Sequence, residues 1–237
     1  MSLLTICTAA LEEIGGINVP SSFYSSTDPT AVQVVALANR AGKTLEKEVR
    51  WQELITEYTF TTTSGTATYA LPSAFRAFAN MSQWDRTNQW RFSGPIPPYV
   101  YQFLKSGISV ASNGRKWFII RGNNFTIYPT PTVSSETMAF DYYSKSWITK
   151  QVDSSYVPEW TSDNDTSRLD EDLITLDLIW RVLKAKGFPF EAEYKERETM
   201  LEALQADNGG RGVIDLGRPM VQAGLGDGNF PETDFGS

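Results

Sequence analysis

From Leu169 to Leu204 the chain reads LDEDLITLDLIWRVLKAKGFPFEAEYKERETMLEAL. Its apolar residues Leu169, Leu173, Leu176, Trp180 and Leu183 step by fours and threes, which lines one face of an α-helix. Asp170 stands where an N-cap belongs, with Leu169 and Ile174 at the positions of a hydrophobic staple. Gly187, as a left-handed terminator, and Pro189, as a breaker, stop this helix. A second helix restarts near Phe190, with Tyr194, Leu201 and Leu204 on its apolar side. Neither can bury its stripe alone, so each needs partners.

The start of the chain offers them. Leu3, Leu4, Cys7, Leu11 and Ile14 predict a helix from Ser2 to about Ile14, ended by Gly15-Gly16. Asp28-Pro29 reads as cap and first residue of a second helix running to roughly Val49, striped by Val34, Leu37, Ala38, Ala41, Leu45 and Val49. From Tyr58 the period changes to two. YTFTTTSGTATYALP predicts two strands joined at Ser64-Gly65. A further strand is expected over Ala77 to Asp85, and a short helix from Pro97-Pro98 through Leu104, ended by Gly107. Trp117–Ile120 and Phe125–Tyr128 read as a hairpin around Gly122-Asn123-Asn124, followed by a strand from Met138 to Tyr143. The polar stretch from Asp153 to Arg168 reads as a return linker from β to α.

This order predicts an α+β fold. Residues 1–55 and 168–208 would form a discontinuous helical bundle from both chain ends, since termini often lie close together. An antiparallel β domain, 56–167, is inserted in it, and an extended C-terminal arm covers 209–237. The arm is glycine-rich and aperiodic, so it cannot make its own core, yet it carries Val213, Ile214, Leu216, Met220, Val221, Leu225, Phe230 and Phe235. We expect it to be disordered in the free protein and to order on a partner, where those residues dock.

Composition narrows the chemistry. A net charge of -7 argues against a protein whose main task is to grip phosphates. The chain has no histidine, which removes the His-based triad and most zinc and haem sites. Its single cysteine, Cys7, lies on an apolar helical face and is expected to pack in the core. The opening run SLLTICTAAL lacks a basic lead-in and soon meets Glu12-Glu13, so no signal peptide is expected, and no stretch approaches a membrane span. The default is a soluble cytoplasmic product.

Candidate sites are few. Asp163, Asp165, Asp170, Glu171 and Asp172 could hold Ca²⁺, but Arg168 stands where an EF-hand needs glycine. A turn followed by an N-cap explains the same residues. Gly209-Gly210-Arg211-Gly212 shares only its glycine count with a phosphate loop. Glu46, Glu48, Glu53 and Glu57 could supply a carboxylate pair for glycoside hydrolysis, though helical spacing favours a solvated face. Trp84, Trp90, Trp117 and Trp147 could stack sugars; a core or subunit interface explains them better. Arg76, Arg86, Arg91, Arg115, Lys116 and Arg121 make the β unit locally basic, which suits single-stranded nucleic acid or a neighbouring subunit. No catalytic residue, metal or cofactor is expected.

Taken together, several segments resemble the head-to-tail adaptor (connector, head completion) proteins of tailed bacteriophages, most of all the tail tubular protein A type. They are LLTICTAALEEIGG, EVRWQELITEYTF, TYALPSAF, YPTP, DLIWRVLKAKG and YKERETMLEAL, spread over residues 1 to 208. The resemblance implies a non-enzymatic virion protein at the head–tail junction, made in the bacterial host cytoplasm. It implies a homo-oligomeric ring, usually of twelve copies, with the portal protein above and a tail or nozzle protein below. DNA would pass transiently and non-specifically through the centre during ejection, and no membrane is involved. On this reading the tail residues named above dock on the portal, and Trp84, Trp90, Trp117 and Trp147 meet neighbouring subunits. The alternative is a carbohydrate- or receptor-binding tail component, with a wall-degrading hydrolase behind it.

Overall fold

Ser2 sets the first helix going. Its hydroxyl accepts from the Thr5 amide while the Thr5 side chain accepts from the Ser2 amide, a reciprocal cap. The computed structural model describes residues 1–79, 82–106 and 116–208. Along the chain come α1 (Leu3–Ile14), α2 (Pro29–Glu48), a 3₁₀ turn (Gln52–Leu54), β1 (Ile55–Thr61), β2 (Thr68–Ala70), β3 (Phe75–Phe78), β4 (Trp84–Asp85) and β5 (Trp90–Arg91). Then follow α3 (Pro98–Lys105), β6 (Trp117–Arg121), β7 (Asn124–Tyr128), β8 (Thr137–Ser144), β9 (Ile148–Thr149), β10 (Tyr156–Val157), β11 (Thr166–Ser167), α4 (Glu171–Lys186) and α5 (Glu191–Asp207). The class is α+β, with antiparallel sheets.

The helix boundaries follow their capping chemistry. Asp28 accepts from the Thr30 amide ahead of Pro29, and Asp170 accepts from the Leu173 amide. Gly187 is left-handed at φ 78°, and the Phe188 amide closes back on the Leu183 carbonyl. α4 packs against α1, α2 and α5. One apolar cluster draws Leu3, Ile6 and Leu11 from α1, Val34, Ala38 and Leu45 from α2, Leu173, Ile174 and Leu178 from α4, and Leu201 from α5. The expected stripe on α4 is turned about its axis. Leu173 is buried, but Leu176, Trp180 and Leu183 lie at the margin, while Ile174, Leu178, Arg181 and Val182 face inward around Asp177. Arg181 and Asp177 can occupy an inward face because they satisfy each other.

The strands carry a second, aromatic core of Phe92, Phe118, Phe125, Phe140, Tyr142 and their neighbours. β8 is its spine: β1 runs along one edge, and β3 and β4 share the other. The β6–β7 hairpin forms as expected, with Arg121 opposite Asn124. Two expectations fail. β1 and β2 are not a hairpin; β1 pairs with β8 and β2 with β7. The link between them is instead tied to the 131–136 loop, through Thr62 amide to Glu136 carbonyl and Gly65 amide to Pro131 carbonyl, so it cannot fold back on itself. The strand expected over Ala77 to Asp85 breaks into β3 and β4, with the Ala79 amide and Ser82 hydroxyl both donating to the Asp141 carbonyl.

The stretch read as a return linker is structured. β9 pairs with β10 and β11, and Trp160 is buried beside Trp147 and Ile148 in the helical cluster. Two-residue strands are too short to show a period, which is why the pattern missed them.

Candidate functional site

Two sets of arginine contacts organise the molecule. The first lies inside the helical layer. Asp177, with no exposed surface, accepts from Arg181 Nε at 2.6 Å, Arg197 Nε at 2.9 Å and Trp180 Nε1 at 3.0 Å. Arg197 reaches on to Glu48 of α2 and to Glu198, so one guanidinium spans three helices. Burial by itself would lower its pKa; Asp177 and Glu48 outweigh that and raise it. Asp177, Arg181 and Arg197 did not stand out as a site in the sequence. The signal was there in the i, i+4 pair Asp177–Arg181, interrupting an apolar face.

The second set joins the helical core to the β core. Arg76, on β3, donates to the carbonyls of Val49 at 3.1 Å and Lys47 at 2.6 Å, and also to that of Glu46. It thereby satisfies orphan carbonyls at the end of α2. Its Nε lies 3.3 Å from Glu46 Oε1, close enough for an ion pair though not aligned as a hydrogen bond. Burial raises the Glu46 pKa, with Arg76, Lys47 and Lys145 pulling the other way. Arg168 does the same work on the far side, donating to the Ser146 and Glu53 carbonyls and stacking 4.1 Å from the Tyr156 ring centre.

The acidic cluster disperses. Asp163 accepts from Ser22 Oγ at 2.7 Å and from the Phe23 and Tyr24 amides, clamping the α1–α2 loop. Asp165 accepts from Thr161 and the Gln151 amide; those bonds outweigh burial and hold its carboxyl below the usual range. Asp170 caps α4, and Glu171 pairs with the amino group of Met1. Among the described residues no three His, Cys, Asp or Glu side chains converge on a metal position. The glutamates suggested as an acid/base pair also part: Glu46 faces Arg76, Glu48 faces Arg197, Glu57 faces Arg86, and Glu53 accepts from Asn208.

The basic residues of the β unit are largely committed. Lys116 Nζ donates to Asp85 at 2.8 Å and Glu136 at 2.6 Å. Burial alone would raise the Asp85 pKa; hydrogen bonds from Asn88 and Lys116 outweigh it and hold it low. Arg86 pairs with Glu57 at 2.8 Å, and Arg121 sits 4.6 Å from the Tyr101 ring centre. Arg115 lies outside the described residues. Trp84 and Trp90 stand on the paired strands β4 and β5, and Trp117 on β6; all three are half-buried. Trp147 differs. It is fully buried, its Nε1 donating to the Pro158 carbonyl, so its indole offers no surface to sugars or to another copy. Cys7 is buried as expected, which pushes its thiol pKa far up. Val213, Ile214, Leu216, Met220, Val221, Leu225, Phe230 and Phe235 lie outside the described residues.

Two clefts remain. One, of about 550 Å³, lies between Met1 and the end of α5, lined by Met1, Trp51–Glu53, Arg168–Asp172, Leu204, Asp207 and Asn208. Asn208 is tied there by the Gln52 amide and side chain at 3.0 and 2.9 Å. The other, of about 460 Å³, follows the outer face of α2 past Asn39, Arg40, Lys43, Thr44 and Lys47.

This arrangement ties the helical core to the β core through arginine contacts. The chain matches the family described as SU10 adaptor protein over residues 1–221, and it belongs to that family. That agrees with the resemblance to adaptors, at the level of the adaptor class and not of the tail tubular protein A type. No curated protein matches the chain. No helix among the described residues is long and apolar enough to cross a membrane.

Proposed function

We propose that this chain is a structural virion protein, the head-to-tail adaptor of a tailed bacteriophage, and not an enzyme. Copies form a ring, twelve by analogy with the adaptors it resembles, between the portal and the tail or nozzle, around the path of the DNA. Family membership across residues 1–221 carries the reading. What supports it in the structure is the set of Arg76 and Arg168 contacts that tie the two cores together, as a part under axial load requires. Residues 1–55 and 168–208 act as the helical bundle, 56–167 as the inserted β domain and 209–237 as the arm that docks on the portal. Trp84, Trp90 and Trp117 face neighbouring copies. An acidic chain suits a conduit, since a channel wall should not retain its cargo.

The test is imaging of phage particles with and without this gene. Deletion should leave filled heads that lack tails, and a plasmid copy should restore them. A particle reconstruction with one copy, or none, at the head–tail junction overturns the reading.

A further inference from the structure

The cleft along α2 is lined by three basic residues, Arg40, Lys43 and Lys47, on an acidic chain. Arg40, Lys43 and Lys47 share one side of the helix, with Arg40 and Lys47 two turns apart, about 10 Å along the axis. Lys43 pairs with Glu159. Arg40 and Lys47 are exposed, and among the described residues neither has a carboxylate at ion-pair distance. Among the described residues Glu159–Trp160 and Arg197 reach this side only at its margins, at Lys43, Asn39 and Glu48, while the opposite side of α2 is the core face.

The cleft between Met1 and the end of α5 has the opposite sign. Five carboxylates line it, on Glu53, Asp170, Glu171, Asp172 and Asp207, against Arg168 and the amino group of Met1. Asp170 and Glu171 are engaged within the chain, whereas Asp172 and Asp207 are exposed and, among the described residues, form no ion pair. The two clefts share no residue, and they are of similar size, about 460 and 550 Å³.

We propose that the outer face of α2 in one copy docks against the acidic cleft of a second copy, with Arg40 and Lys47 facing Asp172 and Asp207. Because the two surfaces differ, the contact is heterologous, and it repeats from copy to copy until a ring closes. The inference rests on the ring reading above and names its contact surfaces. Duplex phosphate is the weaker occupant. Glu48 and Glu159 interrupt the basic face, and the net charge of -7 supplies no surrounding basic field. A second copy brings Asp172 and Asp207, exposed and without an ion pair among the described residues, into one cleft of net negative charge.

Sedimentation of the full chain at low salt tests this. The wild type should self-associate, and more weakly as salt rises, since exposed pairs are screened beyond a Debye length of about 8–10 Å. R40E/K47E and D172K/D207K should each weaken association by at least about tenfold, because like charges now face each other. Mixing the two variants should restore it in alternating order, since each reversed face meets a reversed cleft. Circular dichroism confirms that both variants fold. A wild type that stays monomeric at low salt overturns the proposal, as does a mixture that fails to associate. So does R40E/K47E that assembles normally but loses salt-sensitive binding to duplex DNA, which would make the face a nucleic-acid wall. If any of these occurs while the chain is still found in a ring at the head–tail junction, the docking surfaces are wrong and the adaptor reading stands.

Discussion

Arg197 Nε, on the inner face of α5, donates to Asp177 Oδ1 on α4 at 2.9 Å, in a place where the aspartate has no exposed surface. This bond joins two helices that are adjacent in sequence, and the same guanidinium continues to Glu48 on α2. A buried charge is tolerated only when it is paired and hydrogen-bonded, so the network acts as a unit. Asp177→Ala leaves the buried Arg181 without its counter-charge and Arg197 with only Glu48 and Glu198. It should cost about 3–5 kcal/mol in urea unfolding. Replacing Asp177, Arg181 and Arg197 together by apolar residues should recover most of that loss; no recovery would mean the helices need the charges themselves.

Gly42 lies on α2 where a Cβ would overlap the indole of Trp147. In a free helix Gly→Ala gains about 1 kcal/mol. Here overpacking should win, so Gly42→Ala should be destabilising by about 1–3 kcal/mol. Adding Trp147→Phe should reduce the penalty. A higher melting temperature for Gly42→Ala alone would contradict the packing.

Leu173 and Leu176 separate the observed core face from the expected stripe. Leu173→Asp puts a carboxylate into the core and should cost more than about 4 kcal/mol. Leu176 is only partly buried, so Leu176→Asp should cost less than about half as much. Equal losses in thermal melts would restore the stripe read from the sequence.

Glu46 has a pKa raised above the ordinary 4.5, chiefly by burial. The folded state therefore binds its proton more readily than the unfolded state does. Its stabilising contribution is fully present below the unfolded value and is lost as pH rises through the folded one. Glu46→Gln cannot lose a proton. The stability of Glu46→Gln relative to wild type should thus grow from about pH 4 to pH 8. A pH-independent difference in chemical denaturation would show that Arg76 already compensates the charge.

The helical layer closes at Asn208, tied to Gln52. Truncation after Asn208 should leave the melting temperature within about 2 °C of wild type, since no described packing is removed. On the docking reading the truncated chain folds but fails to attach to filled heads. Attachment equal to that of the full chain would remove the arm's role.

The sequence by itself determined α1, α2, α4 and α5 and nearly all of their ends. Caps such as Ser2, Asp28 and Asp170 and the left-handed Gly187 act over three or four residues, so their signal is local. It also carried the β6–β7 hairpin, whose partners lie two residues apart across the turn, and the adaptor family through segments spread along residues 1 to 208. What it could not decide was pairing at a distance. Ile55 meets Tyr143 and Thr68 meets Thr126 across long loops, so β1 and β2 join different sheets although a short link connects them. The inward face of α4 was likewise unreadable by hydropathy, because Asp177 and Arg181 become core residues only once Arg197 arrives from α5. Trp147 was one of four equivalent tryptophans until Gly42 made room for it beside α2. In each case a long-range contact supplied the energy that the local pattern does not encode, and only the tertiary structure brings those partners together.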